Sequence, residues 1–130
     1  MAKKTILIVE DNMIIAIDIQ ERIKNFGYIV PAIVSSGEEA LNKTEELKPD
    51  LVIMDIGLKG TMNGIETGKM IRENFNLPVI YITGNRSLLK QANITDPCID
   101  KPFIDEELKG LISELLNKPL LSQDPAISIQ

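Results

Sequence analysis

The 130-residue sequence predicts an α/β fold, a parallel sheet with helices on both faces. Three observations carry that prediction. Short apolar runs without internal alternation recur along the chain, as strands buried on both sides require. Between them lie segments whose apolar residues fall at helical spacing. Strand and helix then alternate five times, the pattern of parallel βαβ units.

Thr5 to Val9 is the first apolar run, ending in Glu10-Asp11-Asn12. Ile15, Ile19, Ile23 and Phe26 line one face of a helix from Met13 to Phe26. Asp11 or Asn12 is placed to cap it, and Gly27 follows as its C′ residue. Tyr28 to Val34 is β-rich but contains Pro31, which assigns it to a sheet edge. Ser36 and Glu39 have capping-box spacing and open a helix to Leu47, broken by Lys48-Pro49.

Asp50 then introduces Leu51-Val52-Ile53-Met54, with Asp55 where the apolar run stops. Gly57 to Gly64 is a loop by composition. Ile65, Gly68 and Ile71 line the next helix, which ends before Leu77-Pro78. Val79 to Ile82 is a fourth strand closed by Thr83-Gly84, and Ser87 to Ala92 a short fourth helix. Pro97 to Asp100 is a fifth strand, followed by Lys101-Pro102. Asp105 is placed to cap a last helix striped by Leu108, Leu111, Ile112 and Leu115. These elements make residues 1–117 one domain, and 118–130 a tail or linker remnant with two prolines and no period.

Composition narrows the chemistry. A formal charge of -5 argues against nucleic-acid binding by this chain. No apolar run approaches the roughly 18 residues that span a bilayer, and no signal-peptide core stands at the N-terminus. With the single cysteine, Cys98, this gives a cytoplasmic expectation, with no membrane partner and no internal disulfide. The chain holds no histidine, so a Ser-His-Asp triad, His-ligated zinc and imidazole acid/base catalysis are excluded within it.

Right-handed crossovers put the carboxyl ends of all parallel strands on one rim, where ligands bind in open α/β sheets. The polar residues expected there are Glu10, Asp11, Asp55, Thr83 and Lys101. Each alone has an ordinary explanation as a cap, a turn residue or a solvated side chain. Their conjunction is the signal. Clustered carboxylates call for a balancing cation, and oxygen-only ligands favour Mg²⁺, with Asp11 and Asp55 as ligands and Glu10 acting through a water. Thr83 and Lys101 supply a hydroxyl and an ammonium suited to an oxyanion. The set suits phosphoryl transfer, with Asp55 as nucleophile.

Over residues 4 to 117 the pattern resembles the receiver domain of two-component response regulators. The acidic pair follows the first strand, the phosphoacceptor Asp55 the third, Thr83 the fourth and Lys101-Pro102 the fifth. The resemblance implies a flavodoxin-like, doubly wound five-stranded sheet in order 2-1-3-4-5 with helices on both faces. It implies that Asp55 accepts a phosphoryl group from a histidine kinase or phosphotransfer protein. Asp11, Asp55 and the Gly57 backbone carbonyl would hold Mg²⁺, and Thr83 and Lys101 would bind the phosphoryl oxygens. The Lys101-Pro102 bond would be cis, and Gly57 and Asn85 would occupy the positions that tune self-dephosphorylation. The signal would pass to a downstream effector or fused output domain. The chain would be a signalling domain rather than an enzyme acting on a separate substrate.

Two features depart from the family pattern. The position three before the lysine, usually Tyr or Phe, is Cys98, and the segment from Thr83 to Lys101 is short, predicting a stunted or irregular fourth helix. The face that usually dimerises is built there, so the sequence leaves oligomeric state open. Two other functions compete: a degenerate receiver acting only as an interaction module, and a Mg²⁺-dependent phosphohydrolase. Against the latter, no second Asp stands two residues after Asp55.

Overall fold

Successive residues of each strand face different helix layers, and two separate cores result. A computed structural model describes residues 3–58 and 63–117. Its elements run β1 (Ile6–Val9), α1 (Met13–Asn25), β2 (Ile33–Val34), α2 (Gly37–Leu47) and β3 (Leu51–Asp55). They continue with α3 (Gly64–Phe75), β4 (Val79–Thr83), α4 (Ser87–Gln91), β5 (Cys98–Asp100) and α5 (Asp105–Leu116). The strands form one parallel sheet in the order β2-β1-β3-β4-β5, as expected.

Ile6, Ile8, Ile53, Ile80 and Ile82 pack with Ile19 and Ile23 of α1 and Leu108 and Ile112 of α5 on one side. Leu7, Val9, Val52, Met54 and Tyr81 pack with Ala40 of α2, Ile71 of α3 and Leu89 of α4 on the other. Burial on both faces is why the β1, β3 and β4 runs are continuously apolar.

The helix ends follow local chemistry. Asn12, rather than Asp11, caps α1, its side chain accepting from the Ile14 and Ile15 amides. The Ser36 hydroxyl accepts the Glu39 N–H at 3.1 Å, whereas the Glu39 carboxylate returns to the Ser35 N–H, one residue short of an ideal box. Gly27 has φ +102, the left-handed geometry anticipated after α1.

Four expectations need correction. The Tyr28 to Val34 strand contracts to Ile33–Val34 plus an isolated bridge from Ile29 to Thr5, because Pro31 has no N–H to continue the ladder. Gly64 is the first residue of α3, not loop. The fifth strand begins at Cys98 rather than Pro97. Ile104, not Asp105, occupies the N-cap position of α5, without a side-chain cap bond. Asp105 instead places its charge in the first turn, where the helix dipole favours it. The fourth helix is five residues long, as short as expected. The tail expected over 118–130 and the loop residues 59–62 lie outside the described residues.

Candidate functional site

Strand register decides which side chains meet. Val9 pairs with Met54, so the residues that follow, Glu10 and Asp55, leave the sheet level with one another. Asp55 pairs with Ile82 and Thr83 with Asp100, which steps Thr83 and then Lys101 along the same rim. Glu10, Asp11, Asp55, Gly57, Thr83 and Lys101 all line one cleft of about 370 Å³.

Asp55 is buried at the end of the central strand, and the Gly57 N–H donates to its Oδ1 at 3.1 Å. The Lys101 ammonium stands 3.4 Å from the same oxygen and 3.7 Å from Oε1 of Glu10. Glu10, Asp11 and Asp55 each place one carboxylate oxygen within 4.8 Å of the other two. Glu10 is 2% exposed. Burial pushes its carboxyl up to about 7; the Asn12 N–H, donating to Oε2 at 3.1 Å, pulls the other way, and the charge of Asp55 pushes further up.

The other Glu10 oxygen, Oε1, is buried with no hydrogen-bond donor. Lys101 lies beyond hydrogen-bond reach of it, at ion-pair distance, and offers it charge but no proton. An orphaned oxygen beside two further carboxylates fits a hard divalent cation or one of its waters. The residues present therefore suit the expected metal.

Thr83 is buried, and its hydroxyl oxygen accepts the Asn85 N–H at 2.7 Å. The Asn85 side-chain oxygen, Oδ1, in turn accepts from the Ser87 hydroxyl at 2.5 Å and amide at 3.2 Å. Hydrogen bonds thus run from the cleft to the first residue of α4. Arg86 adds a forked contact to Asp100, beside Lys101, with nitrogen–oxygen distances of 3.1 to 3.3 Å. Gly57 lines the cleft, and its observed contact to Asp55 is through the amide. The Lys101-Pro102 peptide is cis.

Cys98 is half-buried and pairs across the ladder with Tyr81 of β4. An aromatic ring therefore adjoins the position that the family usually fills with one. The Tyr81 ring is fully buried, and its hydroxyl has no hydrogen-bond partner. Burial pushes that phenol above its ordinary range, and the charge of Asp96 adds to the effect.

Three residues have roles that the sequence does not show. Gly64 lies against the end of β3, where a Cβ would fall 2.6 Å from the Ile56 Cα. Its signal was the preceding Asn63, whose side chain caps α3 by accepting the Glu66 N–H at 2.9 Å. Gly68 makes room for Tyr81, whose ring a Cβ there would overlap. Arg22 bridges α1 to the segment after Lys101, and no local pattern marks it.

Residues 6–113 match the family model described as the response regulator receiver domain. Over 120 residues the chain is 29% identical to the DNA-binding response regulator MtrA of Mycolicibacterium paratuberculosis, covering 89% of this chain and 52% of that protein. The chain thus spans about half the length of this curated relative. Its fold matches the response regulator PhyR of Brucella abortus with TM-score 0.82 at 31% identity, over 99% of this chain and 54% of that one. It also matches the receiver domain of the sensor histidine kinase PA1611 of Pseudomonas aeruginosa PAO1, whose structure has a magnesium ion coordinated in the active-site cleft. That match has TM-score 0.79 and 26% identity, over 90% of this chain and 100% of that one. With the family model spanning most of its length and the strand order in agreement, the chain belongs to the response regulator receiver domain family.

Proposed function

We propose that this receiver is an active phosphoacceptor in which Asp55 takes a phosphoryl group from a phosphohistidine on a histidine kinase or phosphotransfer protein. The observation that carries this reading is one ammonium, Lys101, 3.4 Å from one buried carboxylate, Asp55, in a cleft that also holds two more acids. In the transfer an Asp55 oxygen forms a bond to phosphorus as the phosphorus–nitrogen bond of the donor breaks, and the imidazole leaves with the electron pair. The Gly57 N–H keeps the carboxylate oriented. Lys101 meets the phosphoryl oxygens with its charge, and Thr83 turns its hydroxyl toward them. Because the cleft lacks imidazole, the donor's histidine comes from outside the chain.

Asp11, Asp55 and the Gly57 carbonyl would hold Mg²⁺, with Glu10 acting through a water. When bound, the cation supplies charge neutralisation for the carboxylates and for the phosphoryl oxygens. The magnesium-bearing cleft of the PA1611 receiver supports this assignment.

The modification adds about -1.5 to -2 charges at the rim. If Thr83 turns toward the phosphoryl group, the Asn85 N–H loses its acceptor, and the strain reaches α4 through Ser87. Residues 1–117 are the receiver unit, and 118–130 a tail or linker toward an effector or output domain. The compartment that fits this reading is the cytoplasm. Among the described residues no helix is long and apolar enough to cross a membrane.

The deciding experiment is mass spectrometry after incubation with Mg²⁺ and acetyl phosphate, with the modified residue mapped. One base-labile phosphoryl group on Asp55, lost in Asp55→Asn, is expected. Absence of labelling together with failure to bind beryllofluoride would leave an interaction module. Multiple turnover of a phosphomonoester would make the protein a hydrolase.

A further inference from the structure

We infer that Arg22, on the last turn of α1, is a positioning residue for Lys101. The inference rests on the proposed role of Lys101 in phosphoryl transfer. Lys101 is held on its amino side by the sheet, where its N–H donates to the Thr83 carbonyl at 2.9 Å. On its carboxyl side the chain leaves the ladder and crosses Pro102, Phe103 and Ile104 before α5 begins.

Arg22 grips that crossing. Its Nη1 donates to the Phe103 carbonyl at 3.0 Å and lies 3.3 Å from the Asp105 carboxylate. Its guanidinium carbon sits 4.8 Å from the centre of the Phe103 ring. Its Nε pairs with Asp18 one turn earlier at 3.2 Å, which fixes the direction of the fork. Asp18 and Asp105 are largely exposed, so each pair alone contributes little. The geometry matters more than the energy. A planar fork making three contacts at once to Phe103 and Asp105 fixes the path by which the chain leaves Lys101, and a lysine cannot reproduce it.

The arrangement also links both halves of the cleft. The amino end of α1 carries the turn with Glu10, Asp11 and Asn12, and its carboxyl end holds the segment after Lys101. One helix therefore spaces the acidic side of the site from the ammonium, which must sit between Glu10 and Asp55. Misplacing a catalytic group by an ångström can cost on the order of a hundredfold in rate, so a partial slackening is worth about tenfold.

The test uses Arg22→Met, which keeps the packed stem and removes the donors, and Arg22→Lys, which keeps the charge. First, lysines are reductively ¹³C-methylated, which preserves their charge, and the Lys101 resonance is identified by its loss in Lys101→Arg. Asp55→Asn should move that resonance in the parent. In the Arg22→Met background the same change should move it by roughly half as much or less, since coupling falls as contact is lost. An undiminished effect, with an unchanged circular dichroism spectrum, overturns the proposal.

Second, initial labelling by acetyl phosphate should fall about tenfold in both Arg22 variants. It should fall no further when Arg22→Met is added to Lys101→Ala. An equal fall in that background would mean that Arg22 acts on the fold at large, and wild-type labelling in Arg22→Lys would mean that charge alone suffices. Either result rejects the positioning role. If the parent itself is not labelled, the functional reading fails, while the resonance experiment still decides whether Arg22 holds Lys101 against Asp55. Should Arg22→Met not fold, the resonance comparison is made with Arg22→Lys, whose added signal is distinguished by the same Lys101→Arg control.

Discussion

Lys101 reaches Asp55 across β4, which separates their two strands in the sheet, and closes to 3.4 Å. The long side chain spans a gap that a shorter residue could not. Lys101→Ala should therefore slow phosphorylation by roughly a hundredfold, the cost of removing one preorganised charge-stabilising group. Its Mg²⁺ affinity should hold or tighten, because a positive charge leaves the neighbourhood of three acids. Labelling kinetics and Mg²⁺ titration of the same variant check both halves. Unchanged kinetics would remove Lys101 from the mechanism.

The buried carboxyl of Glu10 should make the metal-free protein sensitive to pH. Its folded carboxyl titrates at about 7 against 4.5 ordinarily. Between those values the folded state keeps a proton that the unfolded chain has lost, so stability falls as pH rises through this window. Above it the full cost stands, on the order of 3 kcal/mol at most. Glu10→Gln should be more stable than the parent at pH 8 and nearly equal to it at pH 4. Urea unfolding in EDTA at both values decides; parallel pH profiles would reject the assignment.

Gly68 and Tyr81 form a second tight contact, on the face away from α1. Gly68→Ala should destabilise by about 1–3 kcal/mol through overpacking against a fully buried ring. Tyr81→Phe removes the unpartnered hydroxyl and should not destabilise. Combining the two should recover part of the Gly68→Ala loss. Thermal melts of the four proteins suffice, and additive losses would contradict the shared contact.

Cys98→Tyr places a second ring beside Tyr81 on the same sheet face. The labelling rate should stay within about twofold, as for a change away from the reacting groups. The spread of amide shifts in α4 and β5 on adding beryllofluoride should change more. If rate and shifts move together, phosphorylation and readout do not divide at this position.

The parts of this protein legible in its sequence are those in which local chemistry and tertiary role agree. The apolar runs of β1, β3 and β4 became buried strands, and their terminal polar residues met because a parallel sheet leaves them no other rim. Ser36, Asn12 and Gly27 do in the fold what their residue types favour. Asp105 was misread because an acidic first-turn residue and a cap look alike until a partner such as Arg22 is seen. The Tyr28 to Val34 run was overextended because β-rich composition outweighed the missing amide of Pro31. The contact of Arg22 with Phe103 and that of Gly68 with Tyr81 are hidden for a different reason. Their partners lie 81 and 13 positions away, and no local pattern encodes such contacts.

The position of β3 in the middle of the sheet has a consequence for how the molecule opens. Its amides and carbonyls are engaged by β1 on one side and β4 on the other, whereas α4 has five residues and a single buried side chain. Amide hydrogens of β3 should exchange with deuterium only when the whole chain unfolds, and those of α4 through frequent local fraying. On that expectation Asp55 stands where the molecule should breathe least, and the segment nearest to Thr83 where it should breathe most.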